Sequence, residues 1–180
     1  MPEAIAVRKI EIDAGHRIPD HNSKCKNLHG HRYTIELHVT GPLIIGGPEK
    51  GMVKDFSLLK KCMMNVVDKT CDHGLMLSIK DPLLQNSIIY PKLNIRVEIP
   101  IYTKPDMLNY IDRNYLAEQS YWAGDSNVGK LFIMAEPPTA ENLAKVWHTM
   151  LEIELKNNRN LKISKIVVYE TPNCWAEYRP

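Results

Sequence analysis

The chain has 180 residues, 44% hydrophobic and 24% charged, with 23 Lys plus Arg against 21 Asp plus Glu for a net charge of +2. That balance excludes a disordered chain and a nucleic-acid binder working through bulk charge, and no run approaches the ~20 apolar residues of a membrane span. A chain of this length is expected to form one domain that buries roughly 70% of its unfolded surface.

The N-terminal segment, residues 1 to 13, lacks the apolar core of a secretory signal and carries acidic residues that a transit peptide avoids. Ile10, Ile12, Ala14 and His16 alternate with Glu11, Asp13 and Gly15, the period of a half-buried strand. A polar loop from Pro19 to Lys24 follows. His31, Tyr33, Ile35, Leu37 and Val39 then alternate with Arg32, Thr34, Glu36, His38 and Thr40 in the clearest strand of the chain. Pro42 and Gly46-Gly47-Pro48 mark a turn, after which Gly51 to Asp55 reads as a short returning strand.

Asp55 or Ser57 can cap a helix whose Leu59, Cys62, Met63, Val66 and Val67 form one apolar face. A second helix opens after Pro138, with Thr139 as N-cap and Glu141 in the first turn. Leu143, Val146, Trp147, Met150 and Leu151 repeat the helical spacing. Ile163 to Glu170 and Trp175 to Tyr178 close the chain as strands around a Thr171-Pro172-Asn173 turn. Residues 78 to 135 fit this plan less well. Leu93 to Ile101 alternate as a strand, Met107 to Trp122 is weakly helical, and six Lys or Arg balance six Asp or Glu.

His29 and His31 stand two apart at the head of the best strand, so both imidazoles lie on one face. His16 ends the preceding strand and comes close if the two strands pair. Three His ligands with an open fourth position are the set of a catalytic zinc. In the competing reading Gly30 is a bend and both imidazoles hydrogen-bond loop carbonyls. His21, His38 and His148 have no such partners and read as surface or half-buried residues.

None of the four cysteines, Cys25, Cys62, Cys71 and Cys174, forms a CxxC pair. A disulfide framework or Cys-rich zinc finger is therefore not expected, and the expected compartment is the reducing cytoplasm. Cys25 precedes His29 by four residues and sits between Lys24 and Lys26, whose charge favours a thiolate acting as base or nucleophile. A small buried hydrophobe is the alternative. Asp72-His73 can be a carboxylate orienting a proton-shuttling imidazole, or two diverging neighbours. Glu170 shares a strand face with Ile166 and Val168, where a carboxylate pairs or binds something unless the strand end is exposed.

Several fragments occur in one order: Asp13-Ala14-Gly15-His16, Cys25-Lys26-Asn27-Leu28-His29-Gly30-His31, Gly51-Met52-Val53-Lys54-Asp55-Phe56, Asp72-His73, Pro138-Thr139-Ala140-Glu141-Asn142 and Glu170-Thr171. Together they resemble the 6-pyruvoyltetrahydropterin synthase superfamily over about two thirds of the chain. The short spacing from Cys25 to His29 is similar to the 6-carboxytetrahydropterin synthase branch of 7-deazaguanine (queuosine-pathway) synthesis. The resemblance implies an α+β tunnelling fold, an antiparallel four-stranded sheet with two helices packed on one face, plus an inserted segment here. It also implies a homo-oligomer, typically a hexamer of two trimers.

The implied substrate is 7,8-dihydroneopterin triphosphate, converted to 6-carboxy-5,6,7,8-tetrahydropterin with loss of acetaldehyde and triphosphate. Residue by residue, His16, His29 and His31 would bind Zn2+, and Cys25 would accept a proton. His73 with Asp72 would be the relay pair, and Glu170 the catalytic-site anchor of the pterin ring. Two features depart from the family pattern. Gly74 to Pro137, 64 residues, separate His73 from Pro138 where the family has a much shorter connection, and Leu75-Met76-Leu77 stands where Leu-Asn is common. The expected organisation is one domain over residues 1–180 with an insertion at about 78–135. Two other readings stand beside this one: a 6-pyruvoyltetrahydropterin synthase, and a non-catalytic zinc- and pterin-binding module. The presence of Cys25, Asp72 and His73 argues against the second.

Overall fold

A computed structural model describes residues 3–85, 121–126, 129–158 and 160–180. The strand expected at Leu93 to Ile101 and most of the helix expected from Met107 lie outside these residues. Strand β1 (Glu3–His16) and strand β2 (His29–Pro42) pair antiparallel along their whole length, because both alternate apolar and polar residues in matching register. Ile12 faces Tyr33, Ala14 faces His31, and His16 faces His29.

The other strands extend this ribbon on both sides. They are β3 (Leu75–Ser78), β4 (Tyr121–Ser126), β5 (Gly129–Met134), β6 (Lys162–Thr171) and β7 (Cys174–Tyr178), giving the order β4-β5-β3-β1-β2-β6-β7. The half β1-β2-β6-β7 is the antiparallel four-stranded sheet that the family resemblance implies. The other half is new. β3 runs parallel to β1 through Gly15 and His16, and parallel to β5. Tyr121 and Trp122 belong to a strand, not to a helix end, because they pair antiparallel with β5. Gly51 to Asp55 forms no strand. Its contact with the chain after β2 is two backbone bonds, from Ile44 N to the Met52 carbonyl (2.9 Å) and from Gly51 N to the Ile44 carbonyl (2.8 Å), and positive φ at Gly47 and Gly51 turns the loop away.

Helix α1 (Phe56–Met63) starts at Asp55, whose side chain accepts from Ser57 N. It continues through a π-helical stretch, Met64–Asp68, into a last α turn, Lys69–Cys71. Helix α2 (Ala140–Leu155) starts at Thr139, which accepts from Asn142 N. Both helices cover one face of the sheet. Leu59, Met63, Val66, Leu143, Trp147 and Leu151 are buried against Tyr33, Ile35, Leu37, Ile166 and Val168. Each such side chain contributes about 1.5–3 kcal/mol of burial. The other face stays open at Ile5 and Val7. Among the described residues the outer edge of β1 before Asp13 pairs with no strand. No helix there is long and apolar enough to cross a membrane.

Candidate metal centre and active site

The β1–β2 register sets His16 opposite His29, with His31 one strand step further along the same face. The three rings crowd together, with centroids 4.6 Å (His16–His29), 5.2 Å (His16–His31) and 4.9 Å (His29–His31) apart. One ligand nitrogen from each lies within 4.8 Å of the others. His16 Nδ1 donates to the Pro138 carbonyl at 2.9 Å, and His29 Nδ1 donates to the Asn27 carbonyl at 2.8 Å. A carbonyl only accepts, so each bond keeps the proton on Nδ1 and leaves the Nε2 lone pair free. The bond to a loop carbonyl and the bond to a metal are therefore compatible, each using its own ring nitrogen.

Nε2 of His16 and of His31 is buried, with the Glu170 carboxylate, itself without a proton to share, as its polar neighbour. Buried nitrogens left unpaired carry a cost that a bound cation removes. Burial pushes the His31 imidazole below its ordinary value of 6.5, against the pull of Glu170, which favours the neutral ring a metal requires. The cluster can hold a metal ion.

Glu170 reaches the same place from β6. It is the extra residue where the pairing with β7 shifts, between Tyr169 opposite Trp175 and Thr171 opposite Cys174. Such a bulge re-aims a side chain. Its Oε1 lies 3.1 Å from His16 Nε2 and 3.7 Å from His31 Nε2. The His16 imidazole beside it holds the Glu170 carboxyl below the usual 4.5, with burial opposing and His31 and His29 assisting. Its strand end is thus half-buried at the rim of the cluster, and not an exposed end.

Tyr33 completes the floor. Its ring is fully buried and edge-on to His16 (5.7 Å) and His31 (5.6 Å), and its hydroxyl has no hydrogen-bond partner among the described residues. Burial first, then the fields of Glu170, Cys71 and Cys25, push the phenol up so that it stays neutral. From sequence Tyr33 reads only as an apolar-face strand residue. Its shared parity with His29 and His31 is the signal that places it under the site.

Cys25 sits in a 3-10 turn, Lys24–Lys26, in the β1–β2 connection. It is half-buried, its carbonyl accepts from Ile18 N (2.8 Å), and Ser23 Oγ donates to its sulfur at 3.8 Å. Cys62 and Cys71 are buried, and burial pushes the Cys71 thiol up to about 12, so these are packing residues. Cys174 is exposed.

Asp72 and His73 converge, with His73 Nδ1 2.7 Å from Asp72 Oδ2. The pair is pinned to β1, since Asp13 N donates to Asp72 Oδ1 (2.9 Å) and His73 N donates to the Asp13 carbonyl (2.7 Å). Burial raises the Asp72 carboxyl, but the Asp13 amide, the His73 imidazole and Lys130 outweigh it and hold the group below 3.8. His73 adopts φ +53°, a left-handed conformation that costs a non-glycine residue about 1–3 kcal/mol unless its surroundings enforce it.

The place of the pair is the unexpected finding. His73 lines a depression at the end of the ribbon with residues of both parities, Asp13, Gly15, Gly30 and Arg32 on one side and Ala14 and His31 on the other. Asp13, Gly15, Gly30 and Arg32 alternate with the histidines and so belong to the opposite face of the ribbon. Gly30 is needed there, since a Cβ on it would stand 3.1 Å from the Ala14 carbonyl oxygen. Of the remaining histidines, His21 bonds Ser23 and His38 pairs with Glu36 at 3.0 Å. His148 is buried against Tyr178, not at the surface.

A family model described as 6-pyruvoyl tetrahydropterin synthase matches residues 5–180. The chain belongs to this family. It is accordingly an enzyme of the lyase type. It is similar to a 6-carboxy-5,6,7,8-tetrahydropterin synthase of Rickettsia bellii, 30% identical over 171 residues, covering 94% of this chain and 96% of the relative. A protein of the same name from Haemophilus influenzae is 30% identical over 172 residues, covering 96% of each. Among solved structures, an uncharacterized protein from Wolinella succinogenes superposes with a TM-score of 0.71 at 19% identity, covering 99% of both chains. The 6-pyruvoyl tetrahydropterin synthase of Caenorhabditis elegans gives 0.59 at 21% identity, covering 100% of this chain and 97% of that one. The sheet with two helices on one face is the tunnelling fold of this synthase family.

Proposed function

We propose that the chain is a zinc-dependent 6-carboxy-5,6,7,8-tetrahydropterin synthase, acting on 7,8-dihydroneopterin triphosphate in cytoplasmic 7-deazaguanine (queuosine) biosynthesis. The observation that carries this reading is the convergence of His16, His29 and His31, one ligand nitrogen of each within 4.8 Å of the others, on a site rimmed by Glu170. The names of the two relatives support the product. Residues 1–180 are read as one domain with an insertion at about 78–135.

Zinc in such a site lowers the pKa of hydroxyls bound to it. His16, His29 and His31 would hold the ion, with the Pro138 and Asn27 carbonyls fixing two of the rings. Glu170 would accept two hydrogen bonds from the amino-pyrimidine edge and so set where the side chain of the substrate falls. Cys25 would take a proton from the substrate, and His73, oriented by Asp72, would move protons on the other side.

Because His73 sits beside Asp13 and Arg32, whose positions alternate with the histidines, we infer that the relay pair of one copy serves the metal site of a neighbouring copy. A homo-oligomer follows, with the unpaired outer edge of β1 available for the contact and a hexamer of two trimers as the proposed form. Zinc-loaded protein incubated with dihydroneopterin triphosphate tests the reading by product mass. Acetaldehyde with a carboxypterin supports it. A pterin that keeps a diketo side chain assigns the pyruvoyl reaction instead, and zinc binding without turnover assigns a non-catalytic module.

Glu170→Gln tests the anchor. It keeps the shape but replaces one acceptor oxygen with a donor that opposes a ring N–H. The expected cost is about 2–4 kcal/mol, roughly 30- to 1000-fold in kcat/KM, with zinc content unchanged. Loss of zinc in this variant would make Glu170 a ligand. Parental turnover would shift the anchor to another acid, with Glu141 next.

A further inference from the structure

The peptide group between Asp72 and His73 is held at both ends. Its N–H, from His73, donates to the Asp13 carbonyl at 2.7 Å, and its carbonyl, from Asp72, accepts from Lys130 Nζ at 2.6 Å. Lys130 also reaches the Asp68 carbonyl at 3.5 Å, so its ammonium caps the last turn of the helix that delivers Asp72. The aliphatic stem runs beneath the next residue: a Cβ on Gly74 would stand 3.2 Å from Lys130 Cδ and 3.3 Å from Cγ. Gripping both ends of one peptide plane fixes the backbone on which His73 turns left-handed, at φ +53°.

Lys130 comes from β5, whose Leu131 pairs with Leu75 of β3. It therefore belongs to the segment read here as an insertion. No other residue named for the site does. We propose that Lys130 is a positioning residue for the Asp72–His73 pair, and that the inserted segment thereby braces the catalytic machinery; this rests on reading that pair as the proton relay.

Lys130→Met keeps the stem and removes only the ammonium, and Lys130→Gln restores a neutral donor. In zinc-loaded protein with dihydroneopterin triphosphate, Lys130→Met should lower kcat about tenfold, leaving KM within about twofold. Zinc content and the thermal unfolding curve should match the parent, and Lys130→Gln should recover most of the loss. The double variant Lys130→Met with His73→Gln should be no slower than His73→Gln alone, since a residue acting through His73 has nothing further to act on. Parental kcat in Lys130→Met, multiplied losses in the double variant, or a loss that follows zinc or unfolding would each overturn the assignment while leaving the relay in place. Parental turnover in His73→Gln would instead remove the relay itself, and this inference with it.

Discussion

His31→Ala protein is expected to retain less than about a tenth of the parental zinc and to turn over substrate at least about 1000-fold more slowly. His29→Ala should behave alike. Each variant leaves two imidazoles where an open zinc site takes three, and each removes a nitrogen that the fold has already brought within 4.8 Å of the others. His29 and His31 are the better choices because both are partly exposed, whereas His16 is fully buried and its loss would also open the core. His38→Ala is the control, since that imidazole pairs with Glu36 and is not one of the three clustered histidines. Metal analysis decides the matter: undiminished zinc in both His29→Ala and His31→Ala would leave the cluster a packing feature.

Cys25→Ala should slow turnover by about 100-fold or more while zinc content stays parental. The side chain is half-buried in a loop turn and its one described hydrogen bond is long, 3.8 Å to Ser23, so its removal costs the fold little. A loss of rate in this variant therefore reports on chemistry. Alkylation by iodoacetamide that substrate suppresses would locate the thiol at the site before any variant is made. Activity near the parental level would return Cys25 to a structural role.

The antiparallel half of the sheet was readable because period-two alternation runs unbroken through β1 and β2, and His16 meets His29 once those strands align. The caps Asp55 and Thr139 were readable for the same local reason, being short acceptors just ahead of an apolar helical face. What escaped depends on contacts far apart in sequence. The carbonyls of Pro138 and Asn27 carry no side-chain signature, yet they determine which nitrogens of His16 and His29 remain free. β3 is a buried parallel strand without alternation, and β5 only becomes meaningful once it lies against it. That Asp72 and His73 meet was foreseeable as one of two options. Their place beside Asp13 and Arg32 was not, because the left-handed turn at His73, closed locally by Gly74 N on the Cys71 carbonyl (3.0 Å), is set against the sheet by bonds to the distant Asp13 and Lys130.

The proposed sharing of one site between the thiol of one copy and the imidazole of the next has a consequence for mixtures of defective chains. A chain lacking the thiol still offers its imidazole, and a chain lacking the imidazole still offers its thiol. Unfolding and refolding Cys25→Ala and His73→Gln together in equal amounts should restore activity to about a quarter of the parental sites, the share in which both intact halves meet by random assembly. Each variant refolded by itself should stay inactive. Two broken alleles of this gene would then complement one another in the same cell, which two lesions confined to a self-contained site never do.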